Sequence, residues 1–211
     1  MGNELSVSNL LDDRYPIGMS EVLSQSSEAR KSLLISHLEQ FSIRRGDFVL
    51  KSGKKSSWFI DSKMTACHPQ GMLLVASLMI ELLSDEINAI GGLTMGADPV
   101  SFTVGAIANT IGRNLFTYSV RKETKDHGAG GRIAGMLPIG ATCAITEDTV
   151  TRGNSMFEAY KVTEANGAKV KIALAIVDRG GTVEEMMAQN SVHFIPLVTA
   201  PELGFGYESG I

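Results

Sequence analysis

Residues 141–155 read ATCAITEDTVTRGNS, a hydrophobic run followed by two adjacent acids and a segment rich in Thr, Ser and Gly. The hydrophobic run predicts a buried strand over 141–146, and the apolar spacing after the loop predicts a helix over 155–166. Gly167 follows at the position where a glycine often ends a helix. The stretch is therefore one strand–loop–helix unit, and the chain around it repeats the same alternation.

The alternation begins near residue 71. Further strands are predicted over 87–95, 115–120, 170–177 and 192–198. Further helices are predicted over 71–84, 99–112 and 183–189, with a long charged and Gly-rich loop over 121–135. Apolar strands that alternate with helices predict an α/β fold, in which a parallel sheet is flanked by helices on both faces.

The segments before residue 71 follow a different pattern. Helical spacing of apolar residues predicts a helix over 28–41, and two β-rich runs around a polar loop predict a hairpin over 46–61. We expect residues 28–70 to form a small hood over the carboxyl edge of the sheet, where ligands bind in such folds. Residues 1–27 are polar and aperiodic, which predicts a loosely held extension. Residues 71–211 form the predicted core, and the whole chain is expected to act as one functional domain.

The composition narrows the class of protein. With 44% hydrophobic residues in 211, the chain can bury a sizeable core and is not disordered. A formal net charge of −4 argues against a dedicated nucleic-acid partner. The two cysteines, Cys67 and Cys143, are too few and too far apart for a disulfide framework, which favours a reducing compartment. The apolar run over 72–83 is too short to span a bilayer, and the first residues lack the features of a signal peptide. We therefore expect a cytoplasmic protein with no membrane partner.

The junction at 147–155 has the chemistry of a phosphate site. A loop that leads into the first turn of a helix offers unpaired backbone N–H groups and the positive end of the helix dipole. Gly153 allows close backbone approach, and the hydroxyls of Thr151 and Ser155 add donors. The carboxylates of Glu147 and Asp148 can accept hydrogen bonds from a diol such as that of ribose, or hold Mg²⁺ through water.

The junction also has a purely structural interpretation, and two nucleotide-binding patterns can be compared with it. Acid pairs and Gly/Ser loops often do no more than end strands and cap helices. The Gly-x-x-x-x-Gly-Lys pattern of a Walker A loop and the Gly-x-Gly-x-x-Gly pattern of dinucleotide-binding folds are absent from the sequence. An NTPase or a dehydrogenase is therefore disfavoured.

The junction resembles the phosphoribosyl diphosphate (PRPP) signature of type I phosphoribosyltransferases, in which a hydrophobic strand leads to two acids and a Thr/Gly-rich phosphate loop. Arg152 and Asn154 depart from that signature, which more often has small residues there. The PRPP-binding positions that the resemblance implies are Glu147, Asp148, Thr149, Val150, Thr151, Arg152, Gly153, Asn154 and Ser155.

A second signal is the segment RKETKDHGAGG at 121–131, in which four potential cations precede three glycines. Cations can neutralise the charge on a departing pyrophosphate, and glycines allow a loop to close over a site. The alternative is an ordinary solvated surface loop.

This segment resembles the Arg-Lys-x-x-Lys-x-His-Gly loop of orotate phosphoribosyltransferases, a branch of the same family. The resemblance implies that Arg121, Lys122, Lys125 and His127 contact the diphosphate of PRPP. It also implies a homodimer in which the loop over 121–131 reaches the neighbouring subunit's site, with Lys122 partly serving that partner.

Three further segments resemble the same branch. In the stretch over 48–61, Lys51 is expected to touch PRPP, and Phe59 and Ile60 to flank the flat orotate ring, although the family often has two aromatics there. Thr151 is expected to contact orotate as well, and Arg179 to pair with the orotate carboxylate, a bidentate contact that Arg suits. In the stretch GGLTMGADP at 91–99, Met95 and Gly96 stand where the family often has Tyr-Lys, which removes one cation from the expected site.

The resemblance predicts a pentosyltransferase that transfers ribose 5-phosphate from PRPP to orotate, giving orotidine 5′-monophosphate and pyrophosphate for pyrimidine synthesis. The catalytic residues implied are Lys125, His127, Arg121 and Asp148. Mg²⁺ is expected as a cofactor carried by PRPP, without direct protein ligands but with water bridges to Glu147 and Asp148. Two alternatives stay open: a phosphoribosyltransferase for another nucleobase, and a non-catalytic regulator of the same fold that senses PRPP or a nucleotide.

Overall fold

The fold is known from a computed structural model, which describes residues 14–16, 18–49, 55–125 and 131–208. Within these residues the strands are β1 (Ile43–Val49), β2 (Lys55–Ile60), β3 (Ala89–Leu93), β4 (Phe116–Lys125), β5 (Gly131–Gly135), β6 (Thr142–Val150), β7 (Lys169–Asp178) and β8 (His193–Thr199). The α-helices are α1 (Met19–Leu23), α2 (Ser27–His37), α3 (Lys63–Ala66), α4 (Pro69–Leu82), α5 (Asp98–Thr110), α6 (Asn154–Ala165) and α7 (Val183–Ala188). A π-helical turn, Leu38–Ser42, joins α2 to β1, and a 3-10 turn, Pro201–Leu203, follows β8.

Six strands form the central sheet, in the order β5-β4-β3-β6-β7-β8. The pairs β4–β3, β3–β6, β6–β7 and β7–β8 are parallel, and β5 runs antiparallel to β4 at one edge. The predicted α/β fold is therefore confirmed, with one antiparallel edge strand added to the parallel sheet. Among the described residues, no helix is long and apolar enough to cross a membrane.

The prediction of a long loop over 121–135 is wrong for the residues that the structure describes. The strand β4 continues through the charged segment to Lys125. β5 pairs with it from Tyr118↔Gly135 to Val120↔Ile133 and again at Lys125↔Gly131, with an irregularity in register between these positions. Residues 126–130 lie outside the described part. An edge ribbon can project charged side chains into solvent while its backbone groups pair, so the charge that suggested a loop did not prevent a strand.

Both faces of the sheet carry a hydrophobic core because side chains alternate along each strand. On β7, Leu174 and Ile176 pack with α2, α4 and α5, whereas Ala173 and Ala175 face the side of α6 and α7. The second face accepts small strand residues, which lets Met156 of α6 and Met187 of α7 approach and become fully buried. The two layers hold the carboxyl ends of β3, β6 and β7 side by side.

The segments before α4 cover those carboxyl ends. The predicted hairpin forms as the antiparallel pair β1–β2, with Ile43 opposite Ile60. The turn after β2 reaches the end of β6, where the hydroxyls of Ser62 and Thr149 lie 2.6 Å apart. The hairpin is thus attached to the sheet at the edge where a ligand would enter.

The described part of the predicted loose extension is packed against the core. Residues 19–23 form α1, in which Val22 is fully buried, and the Tyr15 ring is buried as well. The side-chain amide of Gln70 donates to the backbone carbonyl of Tyr15 at 2.9 Å. The prediction of a loosely held extension over 1–27 is therefore wrong for residues 14–16 and 18–27, because two apolar side chains anchor a short polar segment.

Gly92→Ala tests the close approach of β3 to β6. A Cβ on Gly92 would overlap the backbone carbonyl oxygen of Thr146 and the Cβ of Ala97, neither of which can rotate away. We expect the free energy of unfolding to fall by about 1–3 kcal/mol, measured by urea denaturation. Gly206→Ala, where an added Cβ meets no atom within 4 Å, is the matched control. Equal stability of the two variants would contradict the packing described.

Candidate active site

Two neighbouring carboxylates are buried at the end of β6. The strand runs on to Val150 rather than ending at 146, and Glu147 and Asp148 are only 7% and 6% exposed. Both carboxylates lie against Gly96, since a Cβ there would come within 2.5 Å of Asp148 Oδ1 and still closer to Glu147 Oε1. The glycine therefore supplies the room in which the acid pair sits.

A lysine from the hood segment neutralises one of these acids. Nζ of Lys63, on α3, lies 2.6 Å from Asp148 Oδ2. Burial alone would lower the pKa of Lys63, but the hydrogen bond and the negative charge of Asp148 raise it overall. Sequence reasoning missed Lys63, because a lone lysine just after a strand carries no local signal of an acid 85 residues away.

The second acid is less well compensated. Burial, followed by the charge of Asp148, raises the pKa of Glu147 from 4.5 to about 8. Its Oε2 is buried and has no hydrogen-bond partner within the described chain. An orphaned buried acceptor at the rim of a cavity is suited to receive a hydroxyl or a water from a ligand.

A cavity of about 680 Å³ opens above these strand ends. The helix α6 begins beside it, with Gly153 at the N-cap in a left-handed conformation (φ +74°) that brings the backbone of 151–155 round the cavity. The lining residues come from the hairpin (Arg44, Phe48, Val49, Phe59), from the end of β6 and the start of α6 (Glu147 and 149–156), and from Arg179 and Glu208. The phosphate loop expected from the sequence thus forms one wall of a single cavity.

The aromatic wall differs from the expectation. Phe59 lines the cavity, with its ring centroid 5.8 Å from that of Phe48. Ile60 points the other way and is buried in the core beneath the hairpin. The prediction that Ile60 flanks a ligand ring is wrong, since adjacent strand residues face opposite sides; Phe48 supplies the second ring.

Arg179, which directly follows β7, is held by several partners at the cavity wall. Its Nη2 donates to Ser56 Oγ and to the backbone carbonyl of Trp58, each at 3.3 Å, and the guanidinium lies 4.6 Å from the Trp58 ring centroid. The same Nη2 forms an ion pair with Glu208 Oε2 at 2.8 Å. Sequence reasoning found Arg179 but missed Glu208, which lies in a segment without a recognisable motif.

Comparison with known proteins assigns the chain to a family. No family model matches the chain. A curated orotate phosphoribosyltransferase from Methanocaldococcus jannaschii is 37% identical over 175 residues, which cover 82% of this chain and 97% of that protein. Another from Rhodopirellula baltica is 31% identical over 188 residues, covering 86% of this chain and 97% of the relative. The chain belongs to the orotate phosphoribosyltransferase family.

A solved orotate phosphoribosyltransferase, from Mycobacterium tuberculosis, has the same fold. Its complex with Fe(III) dicitrate superposes with a TM-score of 0.74 at 28% identity, covering 83% of this chain and 99% of that one. Its complex with PRPP superposes with a TM-score of 0.70 at 26% identity, covering 83% and 99% of the two chains.

Among the described side chains, none of the cations of the segment over 121–131 lines the cavity. Arg121 and Lys122 lie on β4, outside the cavity lining, and Arg121 Nη1 donates to the carbonyl of Gly131 across the ribbon at 3.4 Å. Lys125 ends β4, but its side chain is not described. His127 and Lys51 lie outside the described residues.

Glu147→Gln tests the burial of the acid pair. The folded protein raises the pKa of Glu147 from 4.5 to about 8. The carboxyl of Glu147 therefore holds its proton more tightly in the folded protein than in the unfolded chain. As the pH rises from 4.5 to about 8, the free energy of unfolding of the wild type decreases. We expect the Tm of E147Q to match that of the wild type near pH 5 and to exceed it above pH 8, measured by scanning calorimetry without ligand.

The control for this experiment is Glu184→Gln, which changes an exposed carboxyl on α7. Its Tm should keep the same offset from the wild type over the whole range. If the difference in Tm between E147Q and the wild type were also independent of pH, the raised pKa of Glu147 would be contradicted.

Proposed function

We propose that the protein joins orotate to the ribose 5-phosphate of PRPP, giving orotidine 5′-monophosphate and pyrophosphate in de novo pyrimidine synthesis. One observation carries the proposal: a single cavity is lined by the segment at the start of α6, by Glu147 of the buried acid pair, and by Arg179 together with the rings of Phe48 and Phe59. Family membership supports the reaction, and the cavity lining has residues suited to the 5′-phosphate, the ribose and the base.

The phosphate loop is the proposed site of the PRPP 5′-phosphate. The backbone N–H groups at the start of α6 and the hydroxyls of Thr151 and Ser155 supply donors, and the helix dipole adds positive potential. Arg152, where the family more often has a small residue, lines the same cavity and adds a cation. Thr149, Val150, Gly153 and Asn154 complete the wall.

Glu147 and Asp148 are the proposed partners of the ribose hydroxyls. Oε2 of Glu147 is the unpaired buried acceptor, and Asp148 is held in place by Lys63. Accepting hydrogen bonds from the 2′- and 3′-hydroxyls fixes the ring, so that C1′ faces the base.

The orotate end of the cavity contains Arg179 and Phe59. The guanidinium can pair with the substrate carboxylate, and the Phe59 ring, backed by Phe48, supplies a flat apolar surface for the base. Thr151, from the phosphate loop, borders the same space.

The proposed reaction needs charge stabilisation rather than a nucleophile. The bond from C1′ to the diphosphate oxygen breaks, the electron pair leaves with pyrophosphate, and orotate N1 forms the new bond at C1′ with inversion. Orotate is already an anion through its carboxylate, so no strong protein base is needed, and the N1 proton is released as the new bond forms and can be taken up by water or by the departing pyrophosphate. Lys51, Arg121, Lys122, Lys125 and His127 are the proposed cations that stabilise the leaving group.

Mg²⁺ is the proposed cofactor. The described residues contain no group of three or more His, Cys, Asp or Glu that could hold a metal ion directly. Asp148 is paired with Lys63, and Glu147 offers one unpaired oxygen, which suits a water-mediated contact with a cation carried by the diphosphate. When bound there, the ion would neutralise charge on the departing pyrophosphate.

We further propose a cytoplasmic homodimer in which the segment over 121–131 serves the neighbouring site. The ribbon β4–β5 lies at the free edge of the sheet, and Arg121 and Lys122 on it do not line this chain's own cavity. Hood and core each contribute walls to the cavity, so the chain is one functional unit.

The reaction is tested with purified protein, PRPP, Mg²⁺ and orotate. We expect orotate absorbance to fall with time, and pyrophosphate to appear in equal amount. Turnover with adenine, hypoxanthine or uracil but not with orotate would assign a different nucleobase. Binding of PRPP without turnover of any base would favour a regulator.

Lys125→Ala tests the cationic segment. Removing a charge that stabilises the leaving group should lower kcat on the order of 100-fold while leaving Tm unchanged, measured by the orotate assay and by thermal denaturation. Lys169→Ala, at an exposed lysine on the opposite, amino-terminal end of β7, is the matched control and should keep wild-type kcat. Wild-type kcat in K125A would remove the segment from the mechanism.

A further inference from the structure

The carboxylate of Glu208 occupies the base end of the cavity. Both Glu208 and Arg179 line the cavity, and their side chains are 14% and 9% exposed. Oε2 of Glu208 lies 2.8 Å from Nη2 of Arg179, and Oε1 accepts from Ser56 Oγ at 2.6 Å. A negatively charged group of this chain therefore stands where the proposed function places the carboxylate of the substrate.

The ion pair with Glu208 engages Nη2 of Arg179, the nitrogen that any bidentate contact with a substrate carboxylate would require. A carboxylate can make two parallel hydrogen bonds to a guanidinium along either of two edges, Nε–Nη2 or Nη1–Nη2. Nη2 belongs to both edges, and on Arg179 it already faces Glu208, Ser56 and Trp58. Nε is buried without a hydrogen-bond partner among the described residues, which leaves one edge half open.

The segment that carries Glu208 is built onto the hood. Phe205 stacks on Trp58 with ring centroids 4.1 Å apart and planes 1° apart, and the Arg45 guanidinium lies 4.6 Å from the Phe205 ring centroid. The backbone N–H of Glu208 donates to the carbonyl of Arg179 at 2.9 Å. The carboxylate is thus delivered to Arg179 by a defined structure rather than by chance contact of a surface side chain.

We propose that Glu208 is a specificity-determining residue, a tethered carboxylate that competes with the substrate carboxylate for Arg179. The inference rests on the proposed function, because it takes orotate as the ligand of this cavity. Two carboxylates cannot share Nη2 without like-charge repulsion in a largely buried site, so substrate binding requires the Glu208 side chain to swing away. The observed affinity for orotate is then the intrinsic affinity reduced by the fraction of molecules in which Arg179 is unpaired.

Competition also explains why the pocket would reject a base without a carboxylate. A ring such as uracil cannot displace Glu208 from Arg179 in exchange for an equivalent ion pair, so it gains nothing from the guanidinium. Orotate replaces one carboxylate–guanidinium pair with another. Glu208 therefore favours the binding of a base that carries a carboxylate over one that does not.

Glu208→Gln is the test, because it keeps the side-chain size and removes the charge. In the orotate assay we expect the KM for orotate to fall about threefold or more, with the KM for PRPP unchanged. In parallel, uracil is added as a competitive inhibitor of orotate, and its inhibition constant measures the binding of a base without a carboxylate. This constant should be the same in E208Q and in the wild type. The ratio of the KM for orotate to the inhibition constant of uracil therefore reports only the competition between Glu208 and the orotate carboxylate for the Arg179 guanidinium.

The matched control is Glu202→Gln, which alters a carboxylate in the same segment that pairs with Lys31 at 2.7 Å and does not line the cavity. It should leave the KM for orotate unchanged. An unchanged KM in E208Q would overturn the proposal, and a raised KM would overturn it too, by showing that Glu208 holds Arg179 in its binding orientation. Equal tightening of orotate and uracil would overturn it by showing simple obstruction. If the wild type does not turn over orotate at all, the proposed function itself fails, which is a distinct result.

Discussion

Two carboxylates buried side by side at the end of β6 are the constraint on which the site depends. A charged group that is buried away from water is stable only when it has partners of opposite charge or hydrogen bonds, and the two acids differ in how far they have them. Lys63 pairs with Asp148, whereas Glu147 keeps an unpaired oxygen and a raised pKa. Gly96 leaves the space that both acids fill. The unmet hydrogen-bonding capacity of Glu147 distinguishes this strand end from a well-satisfied part of the core.

The hood and the segment after β8 complete the cavity by a second set of charges. Arg179 would be a buried cation at the end of β7 without Trp58, Ser56 and Glu208 around it. Two ion pairs thus balance charges at neighbouring strand ends, Lys63 with Asp148 and Glu208 with Arg179. Lys63 and Glu208 both come from outside the strand that they serve.

Much of this arrangement was predictable from the sequence. Apolar spacing and turn residues predict the alternation of strands and helices and the hairpin, and the structure has both. The binding of a phosphate by the loop over 151–155 stays a prediction. The errors have physical causes. The sequence predicts a loop after residue 120, because an edge ribbon with polar side chains lacks the hydrophobic signal of a strand. The expectation that Ile60 flanks a ligand ring beside Phe59 fails because adjacent strand residues face opposite sides. Tyr15 and Val22 anchor a segment too short to show periodicity.

By itself, the sequence determined the alternation of strands and helices, including the strand–loop–helix unit at 141–155, because apolar spacing and turn residues are local properties of the chain. Only the tertiary structure decided which distant groups meet it. Lys63 reaches Asp148 across 85 residues, and the partner of Arg179 lies in a segment without a motif. These pairs depend on the order of strands in the sheet and on how the hairpin docks, which are set by the packing of both faces and not by any local pattern.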